Sequence, residues 1–314
     1  MNFVAMGLAG IFVGFSGRND GGALLAAGIT KSNRRQLVLS LIAVVALVVA
    51  PMILGTKVAT TLIDGIVEIE GRFDLVIIVV ATTTAIVAIS TQFGFATSIG
   101  LALVGALAGA GVGAGLPVDG GGVGRVLLLG AASPVVASFL GRATSVFFTA
   151  MPFLRSIRRS ANTLRWWTYP LLCLAYGAND GQKALAVIAL AAGASLTSTS
   201  QVLVIAIVSA ALFLGGMLIG SKQVAVKIGR GMTRTYPIEI ATADLVASTV
   251  VVAGASLGTP LSMTQAITGA TVGVTSRTGW NYVRWPILGR TVAAWVLTFP
   301  VTALIAGVIS KVVN

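Results

Sequence analysis

The chain has 314 residues, 56% hydrophobic and only 10% charged, against roughly a quarter charged in soluble domains, and its apolar runs of about 20 residues imply membrane helices rather than a soluble domain or the alternating strands of a barrel. The net charge of +12 does not point to nucleic acid, because most cations fall in short connections between apolar runs, where membrane topology places Lys and Arg. The chain has no histidine and a single cysteine, Cys173, which excludes a disulfide framework and a zinc-ligand cluster and leaves proton chemistry to carboxylates.

Ten apolar segments follow in order. The first, Asn2 to Ile29, lacks a basic leader and a small-residue cleavage site, so it is read as a permanent span; it contains Gly17-Arg18-Asn19-Asp20-Gly21. The second, Leu37 to Leu54, ends on Gly55-Thr56-Lys57. The third, Leu75 to Phe93, runs through Gly94-Phe95-Ala96-Thr97-Ser98 into the fourth, Thr97 to Leu116. The fifth, Val123 to Phe153, opens on Gly124-Arg125 and contains Pro134. The sixth, Trp166 to Leu190, contains Gly177-Ala178-Asn179-Asp180-Gly181, and the seventh, Val202 to Ile219, is followed by Gly220-Ser221-Lys222. The eighth, Ile240 to Leu257, carries Asp244 and runs through Gly258-Thr259-Pro260-Leu261-Ser262 into the ninth, Ser262 to Thr275. The tenth, Trp285 to Ile309, contains Gly289-Arg290 and Pro300.

Four of these landmarks recur in the same order, displaced by 160 to 166 residues, which is the signature of an internal duplication. Five crossings per half is an odd number, so the second half enters the membrane from the opposite side, giving an inverted repeat. The charges agree. With the N-terminus outside, the inner connections hold or abut Lys31, Arg34, Arg35, Arg155, Arg158, Arg159, Arg165, Lys222, Lys227, Arg230, Arg234, Arg277, Arg284 and Arg290, fourteen of the 21 cations. An outer connection holds Asp64, Glu68, Glu70 and Asp74 against Lys57 and Arg72. The expected fold is therefore an all-α integral membrane protein of two inverted five-segment repeats, with broken or re-entrant helices at mid-membrane. Residues 1–153 form the first repeat, 154–165 a cytoplasmic basic linker and 166–314 the second repeat, with both termini outside.

Asp20 and Asp180 sit inside apolar segments, where a carboxylate costs about 3 kcal/mol on insertion scales unless it faces a cavity or a partner. The glycines around them, Gly17, Gly21, Gly177 and Gly181, suit a helix that unwinds and frees carbonyls for a cation; a plain Asn or Asp cap at a helix end is the alternative. Ser98, Ser262 and Thr264 follow Gly or Pro and precede helix-forming runs, so each reads as a cap or as part of an anion site at a helix N-terminus. Thr268 lies one turn beyond Thr264. Arg18 and Lys183 are the cations nearest the two motifs, and each reads either as an oxyanion ligand or as a partner of the adjacent Asp. Asp244 reads either as a cation ligand or as a buried hydrogen-bond partner.

The paired Gly-Xaa-Asn-Asp motifs, each followed by a Gly-Xaa-Pro-Xaa-Ser-like turn, resemble those of the PiT family of inorganic phosphate transporters, which also includes sulfate permeases. Gly177-Ala178-Asn179-Asp180-Gly181-Gln182-Lys183 is similar to the bacterial low-affinity branch, which takes up phosphate with protons, often as a metal-phosphate complex. The resemblance implies that Asn19, Asp20, Asn179 and Asp180 contribute to cation and phosphate sites and that Ser98, Ser262 and Thr264 contact the phosphate. On the chemistry of the residues themselves, Gly21, Gly181, Arg18 and Lys183 are further candidate substrate contacts, and Asp244 joins Asp20 and Asp180 as a candidate cation site. Asp244 stands where the family usually has Glu. The first copy departs from the family's pattern: it continues as Gly21-Gly22-Ala23-Leu24, carries Arg18, and has Ser98-Ile99-Gly100-Leu101 where the second half has Ser262-Met263-Thr264-Gln265.

The expected function is secondary active import of inorganic phosphate in the cell membrane, coupled to H+ or Na+ by alternating access, with a divalent metal as a further companion of phosphate. No resident cofactor, enzymatic activity or nucleic-acid partner is expected; the lipid bilayer is, and a homo-oligomer is left open. A sulfate permease and an anion channel are the competing readings.

Overall fold

The computed structural model describes residues 2–27, 33–92, 97–150, 161–229 and 237–314. Its helices are α1 (Phe3–Ala27), α2 (Asn33–Leu54), α3 (Lys57–Ile63), α4 (Phe73–Gln92), α5 (Ile99–Gly113), α6 (Gly120–Ala150), α7 (Ala161–Tyr176), α8 (Gln182–Ala192), α9 (Thr199–Gly229), α10 (Pro237–Ser256), α11 (Met263–Ser276) and α12 (Trp285–Val313). A π-helical turn, Gly177–Gly181, joins α7 to α8. The described residues form no β-strand beyond one isolated bridge, Val67 to Val118.

Among the described residues, six helices are long and apolar enough to cross a membrane: α2, α4, α6, α9, α10 and α12. The protein is thus a multi-pass membrane protein. α6 and α12 turn Leu128, Val135, Phe139, Val296, Leu304 and Val312 outward, which is stable only where lipid replaces water as the neighbour. α5 is the opposite case, buried from Ile99 through Gly111 except at Leu101, and α8 is buried from Gln182 through Ala191. Short apolar helices at the centre and long ones at the rim define the architecture.

Small residues set the contacts between these layers. On α5, Gly105, Gly109 and Gly113 recur every four residues, and a Cβ placed on Gly109 would stand 2.0 Å from the Ala303 carbonyl of α12. On α11, Gly269 and Gly273 lie equally close to the Pro134 and Ser138 carbonyls of α6. Without a hydrophobic drive between helices in lipid, such backbone approach supplies the dispersion contact. The pattern is reciprocal: the short helix of each sequence half lies on the last helix of the other, α1 packs on α9, and the π turn packs on α2. Pro134 leaves the Gly130 carbonyl without its helical donor, and the Ser133 hydroxyl takes it at 3.1 Å.

The expected unwound breaks are not present. α1 runs as continuous α-helix through Gly17-Arg18-Asn19-Asp20-Gly21, and Gly17 serves close packing, its Cα facing the Phe213 carbonyl of α9. The second motif widens into a π turn without opening, and the Ala178 carbonyl is taken by the Gln182 side chain at 2.7 Å. The buried helix starts lie instead at α5 and α11. Gly55 ends α2 with a φ of +79°, whereas residues 220–222 lie inside α9 rather than after it. α7 begins at Ala161, so the end of the stretch expected as linker is helical. Residues 94–96 of one landmark, 154–160 of the linker, and Lys31, Arg155, Arg158, Arg159, Arg230 and Arg234 lie outside the described residues, as do the side chains of Arg34, Arg35, Arg165, Lys222 and Lys227.

Candidate functional site

Ser98 and Ser262 adopt nearly the same backbone, with φ −98° and ψ 114° for one and φ −105° and ψ 118° for the other. Each is extended, buried, and caps the helix that follows: the Ser98 hydroxyl accepts from Leu101 N at 3.2 Å and that of Ser262 from Gln265 N at 3.5 Å. Ser262 also shares a 2.8 Å hydrogen bond with the Thr264 hydroxyl. The capping reading therefore holds for both. It leaves the remaining first-turn N–H groups, and the positive end of each helix dipole, directed into the protein.

The two helix starts meet. A Cβ on Gly100, in the first turn of α5, would lie 2.9 Å from the Pro260 carbonyl and 3.2 Å from Lys183 Nζ. Lys183 is 2% exposed. Its ammonium donates to Asp180 Oδ1 at 2.8 Å and to the Leu261 carbonyl at 2.6 Å, and Asn179 Nδ2 donates to the same carbonyl. The π turn, α8 and the turn entering α11 are thereby tied at one point. Three acceptor atoms remain without a partner, Asn179 Oδ1, Asp180 Oδ2 and Gln265 Oε1, where unpartnered buried oxygens are otherwise rare.

The first motif lies beside the second. Asp20 is buried, accepts from Asn19 Nδ2 at 3.1 Å, and lies within electrostatic range of Asp180 and Lys183. Asn19 Oδ1 accepts from the Thr91 hydroxyl of α4 at 3.3 Å. Asp244 is buried on α10, which packs against the π turn. Arg18 is placed differently: it is exposed, with its guanidinium over the Phe15 ring. Gly21 lies in α1, and Gly181 closes the π turn against Leu47 of α2. Thr268 faces, with Gln265, a mostly apolar cavity of about 830 Å³ between α6, α11 and α12.

Two residues of this region receive no role from the motifs. Tyr176 is fully buried, its hydroxyl has no partner, and it lies within electrostatic range of Asp20, Asp180 and Asp244. Its only sequence signal is a phenol directly before Gly177. Gln182 is also fully buried. Its Oε1 accepts from Val58 N at 2.8 Å and Ala59 N at 3.2 Å, and its Nε2 donates to the Gly55 and Ala178 carbonyls at 2.8 and 2.7 Å. One side chain thus closes the end of α2, the start of α3 and the π turn.

Away from the bilayer, Asp64 lies between α3 and α4 in a cavity of about 260 Å³ lined also by Glu70 and Thr197. Partial burial, and then the charges of Glu70 and Glu68, raise its carboxyl above the ordinary range.

A sequence model described as Phosphate transporter family matches residues 155–306. The chain is 30% identical over 278 residues to a Rhizobium meliloti protein named "Probable low-affinity inorganic phosphate transporter", covering 82% of this chain and 80% of that one. A Mycobacterium bovis protein of the same name is 28% identical over 264 residues, 80% of this chain and 63% of its own length. Among solved structures, one described as "The sodium-dependent phosphate transporter" shares the fold, with a TM-score of 0.82 over 99% of this chain and 98% of that chain, at 19% identity.

Proposed function

Because this chain belongs to the phosphate transporter family, we propose that it carries inorganic phosphate across the cell membrane together with a cation, H+ or Na+, by alternating access around a site formed where two inverted repeats meet. It is a transporter and not an enzyme. The observation that carries this reading is the meeting of two buried, serine-capped helix starts at the Lys183–Asp180 pair. Helix N-termini and an ammonium favour a tetrahedral oxyanion, and the acceptor oxygens of Asn179 and Asp180 suit a hard cation.

In this reading Ser98, Ser262, Thr264, Asn19 and Asn179 contact phosphate, with Gly21 and Gly181 allowing close approach. Asp20, Asp180 and Asp244 serve the cation. Coupling answers an energetic need: each negative charge moved inward costs about 2.3 kcal/mol per 100 mV of inside-negative potential, and a cotransported cation offsets it. The reciprocal packing of α5 on α12 and α11 on α6 supports repeats of residues 1–153 and 166–314 joined by 154–165. The cation-rich connections support inner loops, with both termini outside.

Counterflow of labelled phosphate in proteoliposomes tests the reading, with sulfate as competitor and with Na+ and pH gradients imposed separately. Phosphate is expected to accumulate above equilibrium and to resist equimolar sulfate. Displacement by sulfate would reassign the substrate. Flux that only equilibrates would identify a channel, and loss of uptake without divalent cations would identify a metal complex as cargo.

A further inference from the structure

Among the residues whose side chains are described, Lys183 is the only buried lysine or arginine. Its ammonium lies between a carboxylate oxygen, Asp180 Oδ1, and a backbone carbonyl, Leu261 O. Carboxylate and carbonyl oxygens are the donors that hard cations take from proteins, and a lysine head group is a compact point charge able to occupy such a place. The neighbouring oxygens Asp180 Oδ2 and Asn179 Oδ1 have no hydrogen-bond partner, although Asn179 already donates its amide to Leu261 O. An ion pair formed only to neutralise Asp180 would need neither the carbonyl nor these unmet acceptors.

We infer that Lys183 is a tethered cation, whose ammonium fills a seat between Asp180 and the Leu261 carbonyl that Na+ enters when the lysine charge is removed. The inference rests on the reading of this region as a phosphate-and-cation site, and deepens it: at this seat the positive charge belongs to the protein and does not exchange with the medium. Gly100 fits the arrangement, since a side chain there would crowd Nζ. Removing the ammonium leaves a buried carboxylate without its counter-charge, a costly state that a bound cation relieves.

Purified wild type, Lys183→Gln and Lys183→Met are compared by equilibrium binding of radioactive Na+ in choline chloride at constant ionic strength, and by the Tm shift that Na+ produces. Both variants are expected to bind one more Na+ per chain than wild type, with a saturable rise in Tm that K+ and choline do not reproduce. Equal stoichiometry in wild type and variants overturns the proposal. If neither variant folds in Na+, while Asp180→Asn/Lys183→Gln folds, Na+ does not enter the seat, Lys183 is only a counter-charge and the proposal is overturned as well. The binding assay needs no phosphate. Failure of phosphate counterflow in every cation would therefore sink the transport reading and leave the seat to be judged on its own.

Discussion

Replacing Gln182 by Leu keeps the side-chain bulk and removes four hydrogen bonds, to Val58 N, Ala59 N, Gly55 O and Ala178 O. Val58, Ala59 and Ala178 are fully buried, whereas Gly55 is partly exposed, so three backbone groups are stranded away from water and one is not. A stranded buried polar group costs about 1–3 kcal/mol, which sets the loss at roughly 3–6 kcal/mol if α3 relaxes enough to rehydrate part of its first turn. A loss of that size lowers Tm by roughly 6 °C or more. Thermal unfolding in detergent reads the total, and hydrogen exchange reads its location, with the Val58 and Ala59 amides exchanging faster in the variant. Gln182→Glu separates acceptor from donor. Its carboxylate still accepts from Val58 and Ala59 but has no proton for the two carbonyls, so the variant gains stability relative to wild type as pH falls and the carboxyl protonates. A Gln182→Leu protein melting within 1 °C of wild type, with unchanged exchange at Val58, would refute the reasoning.

Ser262→Ala is expected to weaken phosphate binding about tenfold, the loss of one hydrogen bond to a charged ligand, while insertion stays normal; unchanged phosphate affinity in a titration would remove the α11 start from the site. Asp180→Asn is expected to abolish accumulation of phosphate in proteoliposomes, and accumulation at the wild-type level would withdraw Asp180 from the coupling machinery. Gly109→Val places side-chain atoms where the Ala303 carbonyl stands, so the yield of monodisperse protein in size-exclusion chromatography should collapse, whereas the same change at Gly7, which has open space around it, should be tolerated. For Asp64, a carboxyl raised in the folded state means that the folded chain binds the proton more tightly than the unfolded one. The proton therefore stabilises the fold at low pH, and that contribution is lost as pH rises through the folded value. Asp64→Asn should then melt higher than wild type at neutral pH and lose the advantage in acid.

Much of the fold was readable because lipid imposes a simple rule: a spanning segment must be apolar along its whole length. Leu37 to Leu54 falls within α2, and Leu75 to Phe93 overlaps α4 almost throughout. The caps at Ser98 and Ser262 were readable because a serine and the amide three residues on decide that geometry locally. The unwound breaks were misread because glycine serves two purposes, freeing a backbone and letting another backbone approach, and only the partner helix tells them apart. At Gly17 that partner is Phe213 of α9, far away in sequence. Lys183 with Leu261, and Gln182 with Val58, are likewise joined across 78 and 124 residues. α3 went unseen because seven residues opening on Lys57 give no apolar run.

The seams of α5 on α12 and α11 on α6 bear on how the molecule divides when it moves. Backbones in such contact cannot slide without a clash, so α5 travels with α12 and α11 with α6. The mechanical units are then pairs drawn from both halves of the chain, and a cut near residue 154 separates α5 and α11 from the helices they lie on. Two fragments made separately would each expose a glycine-lined trough, whereas the same fragments made together have complementary troughs to fill.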